Sequence, residues 1–219
     1  RNGYSFDNKG IGETPNHPIS DISWYDAIKW CNAKSEMEGL QPVYSIDGVV
    51  YRQGQNSSPT FDINANGYRL PLEKEWEWAA RGGVDSHNFT YSGGNDINEV
   101  AWYVDNSLSK VSVVGLKKPN ELGFCDMTGN VSEWCWETGN YGFDKRVRGA
   151  NYLDSAERCK FSTSEGGGPD YHFGHFGFRI ARNIPSDDSS GKLKTSGQTG
   201  QSETPNISRN NLYKNEMVT

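Results

Sequence analysis

Hydrophobic and small side chains recur every three to four residues from Trp24 to Ser35, which is the period of an amphipathic helix. Ser23, directly before this stretch, is a favourable N-cap residue, and an aspartate stands three residues after it. Gly39 is a typical helix-ending residue. We therefore predict a helix from Trp24 to about Glu38.

An extended pattern follows the first helix. Residues 42–46 and 49–51 are rich in valine, isoleucine and tyrosine, and the pair Asp47-Gly48 separates them. An Asp-Gly pair favours the positive φ angles of a two-residue hairpin turn. This segment is therefore predicted to form a β-hairpin.

A second helix is predicted for residues 72–80, with Pro71 in its first turn and Gly82 and Gly83 after its end. Trp76 and two alanines after it take the inner face of this helix. Three glutamates alternate around it and predict a solvated acidic face rather than a catalytic pair of carboxylates. Glu73, Glu75 and Glu77 form this acidic face. We expect one ion pair between the face and Arg69 or Arg81.

The remainder of the chain is predicted to be loop-rich. Glycine accounts for 25 of the 219 residues and hydrophobic residues for only 34%, so long regular elements are disfavoured. Short strands are predicted near residues 101–103, 111–114 and 176–181. All seven tryptophans lie between Trp24 and Trp136, and we expect the core there because each indole buries a large area.

Length and composition indicate one domain, residues 1–183, followed by a polar C-terminal extension, residues 184–219. The extension is rich in serine, threonine, asparagine, glycine and glutamine, and its one aromatic residue is Tyr213. Such a segment buries too little apolar surface to offset the entropy lost on ordering, which is typical of disorder.

The net charge of −6 argues against a nucleic-acid partner, because binding nucleic acid requires a basic surface. No run of about 18 apolar residues is present, so no membrane span is predicted. Arg1 stands inside a globular-looking segment, which leaves room for an upstream leader or lipid anchor. A cell-surface or secreted location is favoured.

The four cysteines are Cys31, Cys125, Cys135 and Cys159, and their spacing fits no Cys-x-x-Cys pair, zinc finger or zinc ribbon. A bridge between Cys125 and Cys135 would close a ten-residue loop in an oxidising compartment. Free, buried thiols are favoured instead, because cysteine is among the most buried residue types. Cys159 lies between two cationic residues, which would lower its pKa if the thiol were exposed.

The histidines give only weak signals. His172 and His175 stand three residues apart, but the surrounding segment supplies no third metal ligand. The chain also contains no Gly-x-Ser-x-Gly nucleophile elbow, so hydrolase chemistry is disfavoured.

Asp126 and Glu133 are two carboxylates seven residues apart, with glycine and asparagine between them. A tight loop of this kind offers oxygen ligands to a hard cation such as Ca²⁺. The same residues are equally typical of a buried turn, in which Glu133 accepts backbone N–H bonds and Trp134 packs into the core. Both interpretations stay open on the residues alone.

Three stretches carry a family resemblance: GYRLPLEKEWEWAARGG at 67–83, DMTGNVSEW at 126–134 and GFRIAR at 177–182. They resemble the formylglycine-generating-enzyme/sulfatase-modifying-factor family. The resemblance implies an α+β fold, loop-rich and C-type-lectin-like, with two main helices and short antiparallel strands. It implies no required cofactor, and it implies a candidate site for a structural Ca²⁺ ion. The implied calcium ligands are the side chains of Asp126 and Glu133 and the carbonyls of Gly129 and Val131.

The family includes copper-dependent oxidases and ligand binders without chemistry. Its oxidases carry two cysteines five residues apart. Here Cys159 matches the second cysteine, but Asp154 stands at the first. The resemblance therefore predicts a non-catalytic binder. The alternatives are a divergent oxidase that acts on a sulfatase cysteine, and a structural or regulatory domain.

Residues 150–176 are rich in tyrosine, phenylalanine, serine, glycine, aspartate and histidine, a composition typical of a paratope. In this they resemble the variable proteins of diversity-generating retroelements, which display a mutated region on a scaffold of this family. We expect the partner to be a protein or cell-surface macromolecule. The predicted binding face is Tyr152, Asp154, Ser155, Arg158, Phe161, Asp170, Tyr171, His172, Phe173 and His175. The expected scaffold residues are Arg148, Gly177, Phe178 and Arg179.

Overall fold

The computed structural model describes residues 2–55 and 58–183. The helices are α1 (Trp24–Met37), α2 (Glu73–Ala80) and α3 (Ile97–Val100), with one 3-10 turn at Gly83–Asp85. The strands are β1 (Tyr44–Ile46), β2 (Val49–Val50), β3 (Thr60–Phe61), β4 (Tyr68–Arg69), β5 (Ser132–Thr138), β6 (Lys145–Arg148), β7 (Ser164–Gly167), β8 (Phe176–Phe178) and β9 (Ala181–Arg182). This mixture confirms the α+β, loop-rich prediction. The extension predicted for residues 184–219 lies outside the described ranges.

Helix α1 begins where its N-cap predicts. The Ser23 hydroxyl accepts a hydrogen bond from the Asp26 backbone N–H, which satisfies one of the unpaired donors of the first turn. The Trp24 indole N–H donates to the Cys135 carbonyl at 2.9 Å. In return, the Trp134 indole N–H donates to the Ile22 carbonyl at 2.9 Å. These reciprocal bonds fix the start of α1 against β5.

The predicted hairpin is confirmed as β1 and β2, with positive φ angles of 49° at Asp47 and 77° at Gly48. Strand β3 extends it to three strands. The buried Asn32 side chain of α1 holds this sheet, because its amide donates to the Tyr44 and Tyr51 carbonyls at 2.8 and 3.1 Å.

A four-stranded sheet in the order β7-β6-β5-β8 forms the centre of the domain. The β5–β8 pair is parallel, while the β5–β6 and β6–β7 pairs are antiparallel. The strand prediction near 176–181 is confirmed by β8 and β9. The strand predictions near 101–103 and 111–114 are wrong. There, Trp102 forms one isolated bridge to Gly129, and the Ser112 N–H donates to the Asn130 side chain rather than to a strand.

The core is built around tryptophans, as predicted. Trp24 and Trp134 are fully buried in one cluster, and Trp76 is buried in a second cluster beneath α2. Trp136 stacks on the ring of Tyr44 at a centroid distance of 5.1 Å. Each buried aromatic side chain removes about 150–250 Å² from water, so a few of them supply much of the stabilising apolar area. Within the described residues, no helix is both long enough and apolar enough to cross a membrane.

Candidate functional site

The segment 168–176, called the aromatic loop below, is closed by two turns. The Tyr171 N–H donates to the Gly168 carbonyl at 2.9 Å, and the Phe176 N–H donates to the Phe173 carbonyl at 2.8 Å. Two further bonds join the loop to Asp21 and to the first residue of α1. The Trp24 N–H donates to the Pro169 carbonyl, and the Asp21 N–H donates to the Phe173 carbonyl. The loop is therefore hydrogen-bonded to the start of α1.

The rings of the aromatic loop pack against one another. Phe173 lies 5.3 Å from Tyr171, 5.5 Å from His175 and 5.5 Å from Phe176. Phe176 is buried and meets Trp134 of the core at 4.9 Å. Tyr171 and Phe173 nevertheless remain 48% exposed. The loop thus presents two large rings to solvent from an ordered base.

Residues 151–158 form the other half of the predicted binding face. The half-buried Asp154 accepts hydrogen bonds from the Asn151 backbone and side chain at 3.0 and 2.6 Å, and it pairs with Arg158 at 2.8 Å. Burial lowers the pKa of His175, and the Asp154 carboxylate opposes that shift. The Asp154 carboxylate therefore lies near enough to act on His175 electrostatically, and the exposed Ser155 lies on the same segment as Asp154.

Phe161 does not belong to the face. Its side chain is 8% exposed and packs in the cluster beneath α2. The Arg81 guanidinium lies over its ring, 4.5 Å from the centroid. The prediction for Phe161 is therefore wrong, because this segment has no hydrophobic period that separates inward-facing from outward-facing rings.

The structure adds residues that the sequence did not indicate. Asp21 faces His172, with 3.3 Å between the carboxylate oxygen and Nδ1. The Val104 N–H donates to the Asp154 carbonyl at 3.1 Å, which places a second segment beside the face. That segment and its neighbour carry exposed apolar side chains: Val104, Leu108 and Leu153, exposed by 42%, 86% and 46%. These contacts join positions far apart in the chain, so no local pattern signals them.

The four cysteines are free, and all four lie in the described ranges. Three of them are buried, which confirms the prediction of packed thiols. Cys159 is 1% exposed, and burial followed by the charge of Asp154 raises its pKa to about 12. The positive charge of Arg158 opposes this rise without reversing it, because Arg158 is itself paired with Asp154 and Glu165. Lys160 pairs with Glu157.

The glutamates of α2 are ion-paired more extensively than predicted. Glu75 pairs with Arg69 at 2.6 Å, and Arg69 is one of the two partners expected for the acidic face. Glu77 pairs with Arg81 at 2.7 Å, and Arg148 of β6 contacts both Glu73 and Glu77 at 3.2 Å. The inner face of α2 is confirmed as Trp76, Ala79 and Ala80. These pairings support a structural role for the acidic face.

Metal-ligating side chains are spread out in the described part of the chain. No group of three or more histidine, cysteine, aspartate or glutamate residues there could hold a metal ion. His172 turns towards Asp21, whereas His175 stacks on Phe173. This difference in surroundings does not favour a shared metal.

The predicted calcium ligands differ in how fully they are satisfied. Asp126 is buried, and its Oδ2 accepts the Gly115 N–H at 2.7 Å while its Oδ1 has no hydrogen-bond partner among the described residues. Burial raises the pKa of Asp126. Glu133 Oε2 accepts from the Trp76 indole at 2.6 Å and from Arg179 Nε at 2.6 Å, and Oε1 accepts from Arg179 Nη2 at 2.7 Å.

The buried, unpaired Asp126 Oδ1 fits a bound cation, because an unpaired buried carboxylate oxygen is unfavourable. Glu133 has one lone pair left on Oε1, since a carboxylate oxygen accepts two hydrogen bonds. A Ca²⁺ ion would take these oxygens with the Gly129 and Val131 carbonyls. The ion stays a prediction. In the alternative interpretation of a buried turn, the partner of Glu133 is the Arg179 side chain rather than backbone N–H groups.

Removing calcium is expected to lower the melting temperature if the Asp126 set binds it. An ion bound only to the native state at 100 times its Kd stabilises that state by about 2.7 kcal/mol. Differential scanning calorimetry with EDTA, then with added Ca²⁺ or Mg²⁺, measures the shift. Asp126→Asn is the matched control and should melt at a temperature that EDTA does not change. An unchanged melting temperature of the wild type would contradict the calcium prediction.

Comparison with known proteins identifies relatives over most of the described chain. Residues 3–184 match the family described as sulfatase-modifying factor enzyme 1-like domain. A protein of Paenibacillus barcinonensis named chaperone protein LppX is 45% identical over 144 residues, covering 55% of this chain and 51% of that protein. A Mus musculus protein named inactive C-alpha-formylglycine-generating enzyme 2 is 33% identical over 191 residues, covering 78% of this chain and 51% of that protein.

Among solved structures, a variable protein has a similar fold. Treponema denticola variable protein 1 superposes with a TM-score of 0.68 at 33% identity, covering 82% of this chain and 77% of that one. The chain spans about half the length of the curated relatives named above. The likeness to the variable protein agrees with the type that the sequence predicts.

Proposed function

Because the chain belongs to the sulfatase-modifying factor enzyme 1-like family, we propose that it uses this fold as a non-catalytic scaffold for a ligand-binding face. The observation that carries the proposal is the aromatic loop. It holds Tyr171 and Phe173 half exposed while their neighbours anchor the loop in the core. Clustered apolar rings on a surface mark interaction sites.

The binding face, as proposed, combines the aromatic loop with the segments beside it. It consists of Asp21, Val104, Leu108, Tyr152, Leu153, Asp154, Ser155, Arg158, Asp170, Tyr171, His172, Phe173 and His175. Large rings provide contact area at low entropic cost, and serine, aspartate and histidine provide adaptable hydrogen bonds. A broad face of this composition suits a macromolecule better than a small metabolite.

Two features support a scaffold without copper chemistry. At the first cysteine position of the family's oxidases stands Asp154, which holds Asn151 and Arg158. Cys159, at the second position, is buried and has a raised pKa, whereas metal binding and nucleophilic chemistry require the thiolate. The similarity to a protein named an inactive formylglycine-generating enzyme agrees with this proposal.

A protein is the proposed ligand. The name of the chaperone relative and the likeness to a variable protein are both consistent with a protein partner. We also propose that a retroelement diversifies residues 150–176 and that the protein acts at the cell surface or after secretion. A reverse-transcriptase gene and a near-identical template repeat beside the codons for residues 146–182 would support diversification. Their absence from the native locus would contradict it.

Incubation with copper, oxygen and a Cys-x-Pro-x-Arg peptide is expected to give no formylglycine and no oxygen uptake above that of the Cys159→Ala variant. The physical reason is that one buried, protonated thiol is a poor copper ligand. Mass spectrometry of the peptide measures formylglycine, the product, and an oxygen electrode measures consumption of oxygen, the co-substrate. Stoichiometric copper binding with turnover that Cys159→Ala abolishes would instead establish the divergent oxidase.

Binding is tested with a displayed random-peptide library selected on the wild-type protein. The proposal predicts that enriched peptides lose binding to a Tyr171→Ala/Phe173→Ala variant. Tyr141→Ala/Phe143→Ala is the matched control, because those rings are 76% and 74% exposed and also stack on each other. Failure to enrich any peptide that depends on Tyr171 and Phe173 would contradict the proposal and favour a structural or regulatory domain.

A further inference from the structure

The two stretches of chain that meet at the aromatic loop carry acidic but no basic residues, histidine apart. Residues 10–28 and 161–178 meet there through the Asp21–Phe173 and Trp24–Pro169 backbone bonds. Together these two stretches contain five carboxylates and no lysine or arginine. The five are Glu13, Asp21, Asp26, Glu165 and Asp170.

Three of these carboxylates lack a lysine or arginine partner within the described ranges. Asp26 pairs with Lys29, and Glu165 pairs with Arg158. By contrast, the described contacts of Glu13 and Asp21 are with His17 and His172, at 3.8 and 3.3 Å. Asp170 is exposed and takes part in no described ion pair. Among the described residues, the carboxylates of Asp21 and Asp170 beside the two exposed rings, and that of Glu13 nearby, therefore have no lysine or arginine partner.

Within the described residues, no lysine or arginine covers the exposed rings. Elsewhere the chain covers its tryptophans with lysines, as Lys145 lies 4.1 Å from the Trp24 ring centroid and Lys117 lies 4.1 Å from that of Trp102. No such contact reaches Tyr171 or Phe173 in the part of the chain that the structure describes. Arginine and lysine are attracted to open aromatic faces, and the attraction strengthens on desolvation.

A small cavity opens beside the same loop. It has a volume of about 130 Å³ and is lined by Gly174 of the loop, by Ile11, Pro18 and Val111, and by the polar residues Glu13, His17 and Ser20. An apolar cavity of about 150 Å³ is large enough to bind benzene. The cavity therefore suits one apolar side chain of a ligand, and a carboxylate lies at its wall.

We propose that the binding face recognises a basic, apolar-flanked segment of a protein. An arginine or lysine of that segment lies on Tyr171 and Phe173 beside Asp170 and Asp21, and a neighbouring apolar side chain enters the cavity at Gly174. This inference rests on the proposed function and names its partner class. The same carboxylates repel nucleic acids and anionic lipid surfaces.

Fluorescence anisotropy with a labelled peptide of alternating arginine and leucine tests the inference. Asp21→Asn/Asp170→Asn should bind this peptide about tenfold more weakly, the scale of two exposed charges. Asparagine tolerates the positive φ of 57° at Asp21. Asp47→Asn/Asp85→Asn, which removes two exposed carboxylates elsewhere, is the matched control and should bind as the wild type does. Replacing each arginine of the peptide by uncharged citrulline should weaken binding to the wild type.

Three results would overturn the inference: equal loss in both double variants, no loss in either, or equally tight binding of the citrulline peptide. Asp170→Lys is a second variant at an exposed position, and it should weaken binding of the arginine peptide further. The outcome is separable from the proposed function. If library-selected peptides require Tyr171 and Phe173 but bind Asp21→Asn/Asp170→Asn normally, the binding face stands and only the basic partner is wrong.

Discussion

Replacing Arg179 with methionine is expected to lower the free energy of unfolding by about 3–5 kcal/mol, the range for breaking one side of a buried ion pair. The Arg179 and Glu133 side chains are only 11% and 4% exposed. Both Glu133 oxygens accept hydrogen bonds from the guanidinium. Without Arg179, the Glu133 carboxylate would stay buried with the Trp76 indole as its remaining described donor.

Urea unfolding of three variants separates the buried charge from lost packing. Arg179→Met/Glu133→Gln removes both charges and keeps an acceptor for Trp76, so it should recover part of the lost stability. Lys118→Met is the control for an exposed pair, because Lys118 and Glu99 are 55% and 59% exposed. It should change the free energy of unfolding by less than about 1 kcal/mol. A similar small effect for Arg179→Met would contradict the buried-pair interpretation.

Alanine at Tyr171 or Phe173 is expected to weaken binding of a library-selected peptide about thirtyfold, which corresponds to about 2 kcal/mol. Interface hot spots favour aromatic anchors, and these two rings are the most exposed large rings of the face. Because both are half exposed, we expect the free energy of unfolding to change by less than about 1 kcal/mol. Isothermal titration calorimetry and thermal melting measure the two quantities on the same samples.

Unfolding of both alanine variants would show that Tyr171 and Phe173 are needed for the core, and the proposed face would then be wrong. Normal folding with unchanged affinity would show that the ligand binds elsewhere. Each variant is therefore informative only when affinity and stability are measured together.

The elements predicted correctly are those specified by neighbouring residues. Helix α1 follows from its hydrophobic period and the Ser23 cap, and the β1–β2 turn follows from Asp47-Gly48. Strands β5, β6 and β7 were not predicted. They are stabilised by distant partners, such as Ser132 beside Phe176 in the parallel β5–β8 pair. The first four residues of β5 are all buried, so the strand lacks the alternation that would identify it.

The binding face was predicted in part for the same reason. Composition located the ring-rich segment, and Tyr171 and Phe173 are exposed there. Composition could not show that Phe161 turns inward beneath Arg81. Nor could it show that Asp21 reaches His172, because that contact joins residues 151 positions apart. Orientation and long-range contacts require the folded backbone.

The central claim is that the aromatic loop binds the ligand, and one comparison of dissociation constants tests it most directly. Calorimetric titration of a selected peptide would be run on the wild type, Tyr171→Ala/Phe173→Ala and Tyr141→Ala/Phe143→Ala. We predict a loss of at least about thirtyfold for the first variant and wild-type affinity for the second, with both folded. Equal affinities for all three proteins, or a loss confined to the Tyr141→Ala/Phe143→Ala variant, would contradict the claim.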